Sequence, residues 1–510
     1  MKELIAFSAL TIVAALTADE VDFRRPELVP VPKEMSYEAN VPVRIGSATA
    51  FAVTCPDETA ADWVRGKVGA WFGVKGASVA QTPAAGVTGG GEESYTLEAK
   101  VGSIAIGANT LKGVKLAMHT LRQAAERESE GLTLKGYWLP ALKVRDEPAL
   151  GFRGVHFCWF PECSAKLIEH QIRIAAYYKF NYAVIENWGV FKSRRYPFLS
   201  VPGAPLTISE AKRLTAIAND LGITLIPQVN IYGHAALLRS MGGKHSTLDY
   251  RPEYQPLFEP FNGWNWCLSN PEAVKVVQGM VEELHEAFGN PPFFHIGCDE
   301  ADLPTCPRCR AAKPYAKLVE RHISGVAELL RRRGARAMMW HDMLLEKGEW
   351  KPFYAHGDAD EAKMVDSLPK DIVICDWYYG SDPGGHDATG GKSQTGKYPT
   401  LDHFASKGFS TLTCPWRETK GIEAQMKYAR EHRLFGVLET VWHHYRGREF
   451  ALMMETAANG AWGDGRPNQW RQGGRLFATH WRQVGWDMGI ADYADTGFYD
   501  RQVTRDALDR

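Results

Sequence analysis

Residues 152–163 read FRGVHFCWFPEC. The run from Phe152 to Phe157 is apolar and aromatic enough to predict a strand. It is followed by CWFPEC rather than by the glycine-rich phosphate turn that opens a doubly wound sheet. Seven more β-rich runs lie downstream: YAVIE (182–186), ITLIPQV (223–229), FFHIG (293–297), AMMWH (337–341), DIVICD (371–376), FSTLT (409–413) and FGVLET (435–440). Longer amphipathic stretches, such as 209–221 and 271–288, separate them. Eight strands alternating with helices predict an α/β fold in which residues 149–465 close into a (β/α)8 TIM barrel.

Upstream, residues 26–146 have a different texture and predict a smaller α+β domain. Strands are expected at 41–45, 96–100 and 103–106, helices at 58–72 and 111–130, and an exposed loop at QTPAAGVTGGGEE. The string Val144-Arg145-Asp146-Glu147-Pro148 breaks that pattern and marks the boundary. Residues 466–510 read as a helical C-terminal extension. The first eighteen residues, MKELIAFSALTIVAALTA, have the grammar of a signal peptide: Lys2, an apolar run from Leu4 to Leu16, and a small-residue end at Ala18. Cleavage and export to a periplasm or the extracellular space are expected, with a retained anchor as the alternative. No later stretch reaches membrane-spanning length.

The chain has 510 residues, with 59 Lys+Arg against 60 Asp+Glu and a formal net charge of -1, so no long-range field draws it to nucleic acid or anionic lipid. Hydrophobic residues at 45% and charged residues at 23% exclude a disordered or fibrous chain. Sixteen tryptophans lean towards carbohydrate, because an indole face suits the C–H surface of a pyranose, although large cores also use tryptophan. Nine cysteines are an odd number. The tight pair Cys306 and Cys309 in TCPRC, with Cys298 upstream, could hold Zn2+ with one more ligand or form a disulfide.

Chemistry in such barrels collects where the strands run out into the following loops. Those positions carry Glu186, Asn187 and Trp188; Asn230 and His234; Asp299 and Glu300; Trp340, His341 and Asp342; Asp376, Trp377, Tyr378 and Tyr379; Cys414 and Trp416; and Glu439, Trp442, His443 and His444, with Arg153 inside the first strand. The Asp299–Glu300 pair ends an apolar strand, and Gly297 permits a sharp turn before it. A proton-holding acid beside a carboxylate is what glycosidic cleavage requires.

HIGCDEA (295–301) resembles the signature of glycoside hydrolase family 20, the β-N-acetylhexosaminidases. SYTLEA, SIAIGAN and GVKLAMHTLRQ resemble that family's non-catalytic N-terminal domain. The ordered motifs IPQVNIYGH, WNWCLSNPE, HIGCDEA, MMWHDML and LETVWHHY are more similar to the hexosaminidase D-like branch than to lysosomal or chitinolytic members. The resemblance implies exo-acting, substrate-assisted retaining hydrolysis of terminal β-linked GlcNAc or GalNAc from glycans, with no cofactor. Glu300 would be the general acid and later base, and Asp299 would orient the acetamide. Arg153 would hold ring hydroxyls, Trp340, Trp377 and Trp442 would wall the sugar, and His234 and His295 would orient the acids. Glu186 and Asp342 belong to the same candidate substrate-binding set. Asn230 and His444 depart from the residues many members carry, and the acetamide-gripping tyrosine has no clear match, leaving Tyr378 or Tyr379 as substitutes. A catalytically silent carbohydrate-binding barrel and a hydrolase of another amino-sugar glycoside are the alternatives.

Overall fold

The computed structural model describes residues 26–130, 133–236, 247–260, 262–350, 353–380, 398–444, 447–463 and 473–490. The expected signal peptide, 1–18, lies outside the described residues, as do 466–472 and 491–510 of the expected extension. Among the described residues no helix is long and apolar enough to cross a membrane. The chain divides into two compact units, with Glu34–Gly89 and Tyr95–Arg145 in the first and Leu28–Lys33, Gly90–Ser94 and Asp146 onward in the second.

The first unit is built on a seven-stranded mixed sheet of β1 (Glu34–Ile45), β2 (Ala50–Thr54), β3 (Ser78–Thr82), β4 (Tyr95–Lys100), β5 (Ser103–Ala108), β6 (Glu126–Glu130) and β7 (Thr133–Asp146), in the order β1-β7-β4-β5-β2-β3 with β6 on β7. Its helices are Ala60–Phe72 and Leu111–Ala124; the Thr110 hydroxyl caps the second by accepting from the Lys112 amide. That helix stops short of the expected Glu130. Its continuation, ERESE, instead pairs antiparallel with β7, whose ladder hydrogen bonds replace those of further helical turns.

The second unit contains the closed parallel barrel of β8 (Phe152–Trp159), β9 (Tyr182–Asn187), β10 (Thr224–Gln228), β11 (Phe293–His295), β12 (Arg336–Trp340), β13 (Val373–Asp376), β14 (Ser410–Thr413) and β15 (Gly436–Thr440), paired in chain order with β15 against β8. Side chains fill its interior: Phe152, Val184, Ile226, Phe293, Met338, Val373, Leu412 and Leu438 form one buried apolar cluster. Gly154 is required there, because a Cβ would lie 2.7 Å from the Phe152 ring and 2.8 Å from Leu438 Cδ1. Helices return the chain between strands and carry side-chain caps, Ser164 on Leu167, Thr207 on Glu210 and Asn270 on Glu272. A further helix, Gly473–Trp486, follows the barrel and packs Phe477 and Trp481 on Phe450.

A buried charge pair ties the two ends of this unit. The Lys179 ammonium lies 3.2 Å from Asp146 Oδ2, with both side chains almost fully buried, and Asp146 Oδ1 accepts from the Lys33 and Glu147 amides and from the Trp462 indole. Removing one partner of such a pair strands the other charge in a low dielectric, a loss of about 3–5 kcal/mol. Lys179→Met is therefore expected to lower the urea midpoint markedly. Adding Asp146→Asn, which keeps an acceptor oxygen and removes the stranded charge, should restore part of the loss.

Candidate active site

The site begins where β11 ends. Gly297, Cys298 and Glu300 take positive φ values of 66°, 75° and 47°, a cluster of left-handed backbone that non-glycine residues adopt at a cost. Gly297 is doubly constrained: besides its φ, a Cβ there would fall 2.0 Å from Asn230 Oδ1. The space it leaves lets the Asn230 amide reach Asp299, donating from Nδ2 to Oδ1 at 2.5 Å. Gly233 makes similar room, since its Cβ would meet the Asp299 carbonyl at 2.4 Å.

This turn aims adjacent carboxylates at one imidazole. His234 Nε2 lies 3.0 Å from Glu300 Oε2 and 3.4 Å from Asp299 Oδ2. The two acids differ in access: Asp299 is only 5% exposed, whereas the Glu300 side chain is 42% exposed. The Glu300 backbone is gripped from both sides. Its N–H donates to Asp342 Oδ2 at 2.7 Å and its carbonyl accepts from Trp264 Nε1 at 2.6 Å, while the Trp264 ring packs 4.2 Å from His234. Asp342 is fully buried and also accepts from Trp377 Nε1 at 3.1 Å. His356 completes the frame, with Nδ1 3.3 Å from Asp342 Oδ2 and Nε2 3.9 Å from Glu300 Oε1.

Aromatic side chains surround the acids. Trp340 forms the floor, touching His295 at 4.4 Å, Trp442 at 5.5 Å and His156 at 5.5 Å. Trp442 donates from Nε1 to the Tyr379 hydroxyl at 2.7 Å, and Tyr379 in turn packs on Trp377, Tyr354 and Trp416. His295 supports the turn itself, its Nδ1 accepting from the Gly297 amide at 3.1 Å. Glu186 lies inside the barrel, fully buried, accepting from Gln228 at 2.5 Å and from Trp188 at 2.8 Å.

Three expectations need correction. Arg153 does not reach the mouth: as the second residue of β8 it sits at the opposite end of the barrel. Its guanidinium is bound by Glu93 at 2.7 and 2.8 Å and by the Leu150 and Lys179 carbonyls. Tyr378 points into a cluster with Phe353, Tyr398, Leu401 and Tyr428, so Tyr379 is the tyrosine of this region that faces the tryptophans. His444, noted from sequence only as a departure, pairs with Glu449 at 2.9 Å. Cys306 and Cys309 group with Cys267 and Glu259, not with Cys298, whose thiol is directed at the Ile296 carbonyl. His356, Tyr354 and Trp264 were not singled out from sequence. They lie on loops with no periodicity, although Trp264 falls inside the quoted WNWCLSNPE motif.

The carboxylate of Asp342, by hydrogen bond and charge, and then the charge of Glu300 raise the His356 pKa above its ordinary 6.5, against the opposing effect of burial. A raised value means that the fold favours the protonated ring. This stabilisation is complete below the unfolded pKa near 6.5 and is lost as pH rises through the folded value. Proton NMR titration of the histidine ring signals should find His356 titrating above 6.5, and Asp342→Asn should move it back down.

Residues 184–389 match the family model for the glycosyl hydrolase family 20 catalytic domain. A beta-hexosaminidase of Porphyromonas gingivalis is 25% identical over 296 residues, which span 50% of this chain and 36% of that protein. Hexosaminidase D of Bos taurus is 26% identical over 212 residues, 40% of this chain and 53% of that one. The chain thus spans about a third to a half of the length of these curated relatives. Among solved structures, a GH20 exo beta-N-acetylglucosaminidase from Vibrio harveyi superposes with a TM-score of 0.64 at 17% identity, covering 92% of this chain and 78% of that one. A beta-N-acetylhexosaminidase from Bacteroides fragilis gives 0.63 at 17% identity, covering 92% and 99%. The matched span runs from within β9 through β13 and contains both acids of the turn, so this part of the barrel is similar to the glycosyl hydrolase family 20 catalytic domain.

Proposed function

We propose that this chain is an exo-acting β-N-acetylhexosaminidase that removes terminal β-linked GlcNAc or GalNAc by substrate-assisted retaining catalysis. The observation that carries the reading is the unequal acid pair, with Asp299 buried and hydrogen-bonded by Asn230 and Glu300 half-exposed among aromatic side chains. Glu300 transfers its proton to the glycosidic oxygen as the bond to the anomeric carbon breaks. The substrate's own acetamide oxygen attacks that carbon, and the leaving alcohol departs with the proton. Asp299 accepts the acetamide N–H and offsets the positive charge of the resulting oxazolinium. Glu300 then takes a proton from water, which opens the ring at the anomeric carbon and restores the original configuration.

The aromatic residues match this division. Trp377, Tyr379 and Trp442 offer apolar faces for the acetamide methyl and the pyranose, backed by the fully buried Trp340, and the Tyr379 hydroxyl is the group assigned to grip the acetamide oxygen. The natural substrate is a β-linked N-acetylhexosamine-containing glycan, and the leader-like residues 1–18 support a place outside the cytoplasm.

Glu300→Gln is expected to lower kcat on aryl β-GlcNAc by on the order of 10²–10⁴, with the larger loss for the poorer leaving group, which needs the proton more. Wild-type protein should leave the matching aryl β-glucoside essentially intact. Equal rates on the two glycosides would overturn substrate assistance, and full activity of Glu300→Gln would overturn its role as acid.

A further inference from the structure

Beside the acid pair, and with no part in the reaction above, lies a buried group of soft ligands. The thiols of Cys267, Cys306 and Cys309 and a carboxylate oxygen of Glu259 all lie within 4.8 Å of one another, and all four residues are buried. Cys267 Sγ is 3.8 Å from Cys306 Sγ and 3.8 Å from Cys309 Sγ. A disulfide would require about 2.05 Å. A tetrahedron with metal–sulfur bonds of about 2.3 Å has edges of about 3.8 Å, so Cys267 already stands from both other thiols at the spacing of a zinc coordination shell.

The fourth ligand is also poised. Glu259 Oε2 accepts from the Thr305 and Cys306 amides, while Oε1, equally buried, has no hydrogen-bond partner in a residue that is 3% exposed. A buried carboxylate oxygen whose only neighbouring donors are weak S–H groups is a favourable fourth ligand for a cation between them. Tyr315 and Leu318 pack over the cluster, and the Arg308 guanidinium, 3.9 Å from Cys267 Sγ, offsets the anionic charge that three thiolates and a carboxylate leave around a divalent ion.

We propose that Cys267, Cys306, Cys309 and Glu259 bind a structural Zn2+ that pins the loop carrying Glu300 to the loop carrying Trp264. Three thiols and one carboxylate select zinc over harder cations, and four protein ligands leave no open position for catalysis. Each thiol releases its proton on binding, so the site is linked to pH as well as to metal. The ion sits at one end of a ladder between the two loops. Moving towards the acids, the next rungs are the reciprocal Asn265–Asp302 hydrogen bonds, at 2.5 and 3.1 Å, and then the Trp264–Glu300 bond.

The full chain, purified without chelator or added metal, should hold about one zinc by elemental analysis, and Cys306→Ser with Cys309→Ser should abolish it. After zinc is exchanged for Co2+, a thiolate-to-cobalt charge-transfer band should appear and should be absent in Cys267→Ser. Glu259→Gln, which keeps an amide oxygen for the Thr305 and Cys306 contacts, guards against misfolding of the cysteine variants and should hold zinc more weakly against a competing chelator. Wild-type protein that contains no zinc and takes up none after reduction and dialysis against zinc would overturn the proposal. So would mass analysis showing a disulfide among these cysteines in the folded protein.

Discussion

Two neighbouring side chains on an extended strand point to opposite faces, yet here Asp299 and Glu300 both meet the same nitrogen of His234. That convergence is the constraint on which the rest of the site is built. It is met by ending β11 after three residues and turning the chain through left-handed backbone, each non-glycine residue of which is strained by about 1–3 kcal/mol. The surrounding contacts hold the turn in place: Asn230 on the Asp299 side chain, Asp342 on the Glu300 amide, Trp264 on the Glu300 carbonyl and His295 on the Gly297 amide.

Asn230 shows how such a frame can hold an acid without adding charge. The amide donates a hydrogen bond to Asp299 without adding a third carboxylate to a crowded site, and Gly297 leaves room for it. Asp342 links the two halves of the mouth, because one carboxylate holds the Glu300 backbone, the Trp377 indole and the His356 ring. Aromatic wall and acid are thus positioned by the same buried anion, so a displacement of either is felt by the other.

Most of the barrel was legible because strand signals are local. All eight expected runs overlap the observed strands, since a short apolar run between amphipathic stretches has few other ways to be buried. The side-chain assignments succeeded where the residue's end of the strand was known and failed where it was not. Arg153 is near the start of β8 and so at the far rim, and the choice between Tyr378 and Tyr379 turned on a side-chain direction beyond the end of β13, where period-two alternation no longer applies. His356 and Trp264 come from loops whose course is set by tertiary contacts, and Cys267 stands 39 residues before the Cys306 it meets. Asn230 and His234 were noticed from sequence, but their shared contact with the acids depends on two strands lying side by side.

The hub at Asp146 also bears on the order in which this protein can be made. Its carboxylate needs Lys179, found 33 residues later, and the Trp462 indole, found 316 residues later. A chain emerging from the ribosome therefore completes the charge pair before the hydrogen bond that shelters it, which must wait until Trp462 has been made. Closing a loop of that length is an entropic delay paid before the contact contributes anything. The nascent barrel must remain open, with β8 lacking β15 as its neighbour, until β15 has been made, which exposes an unpaired strand edge until then.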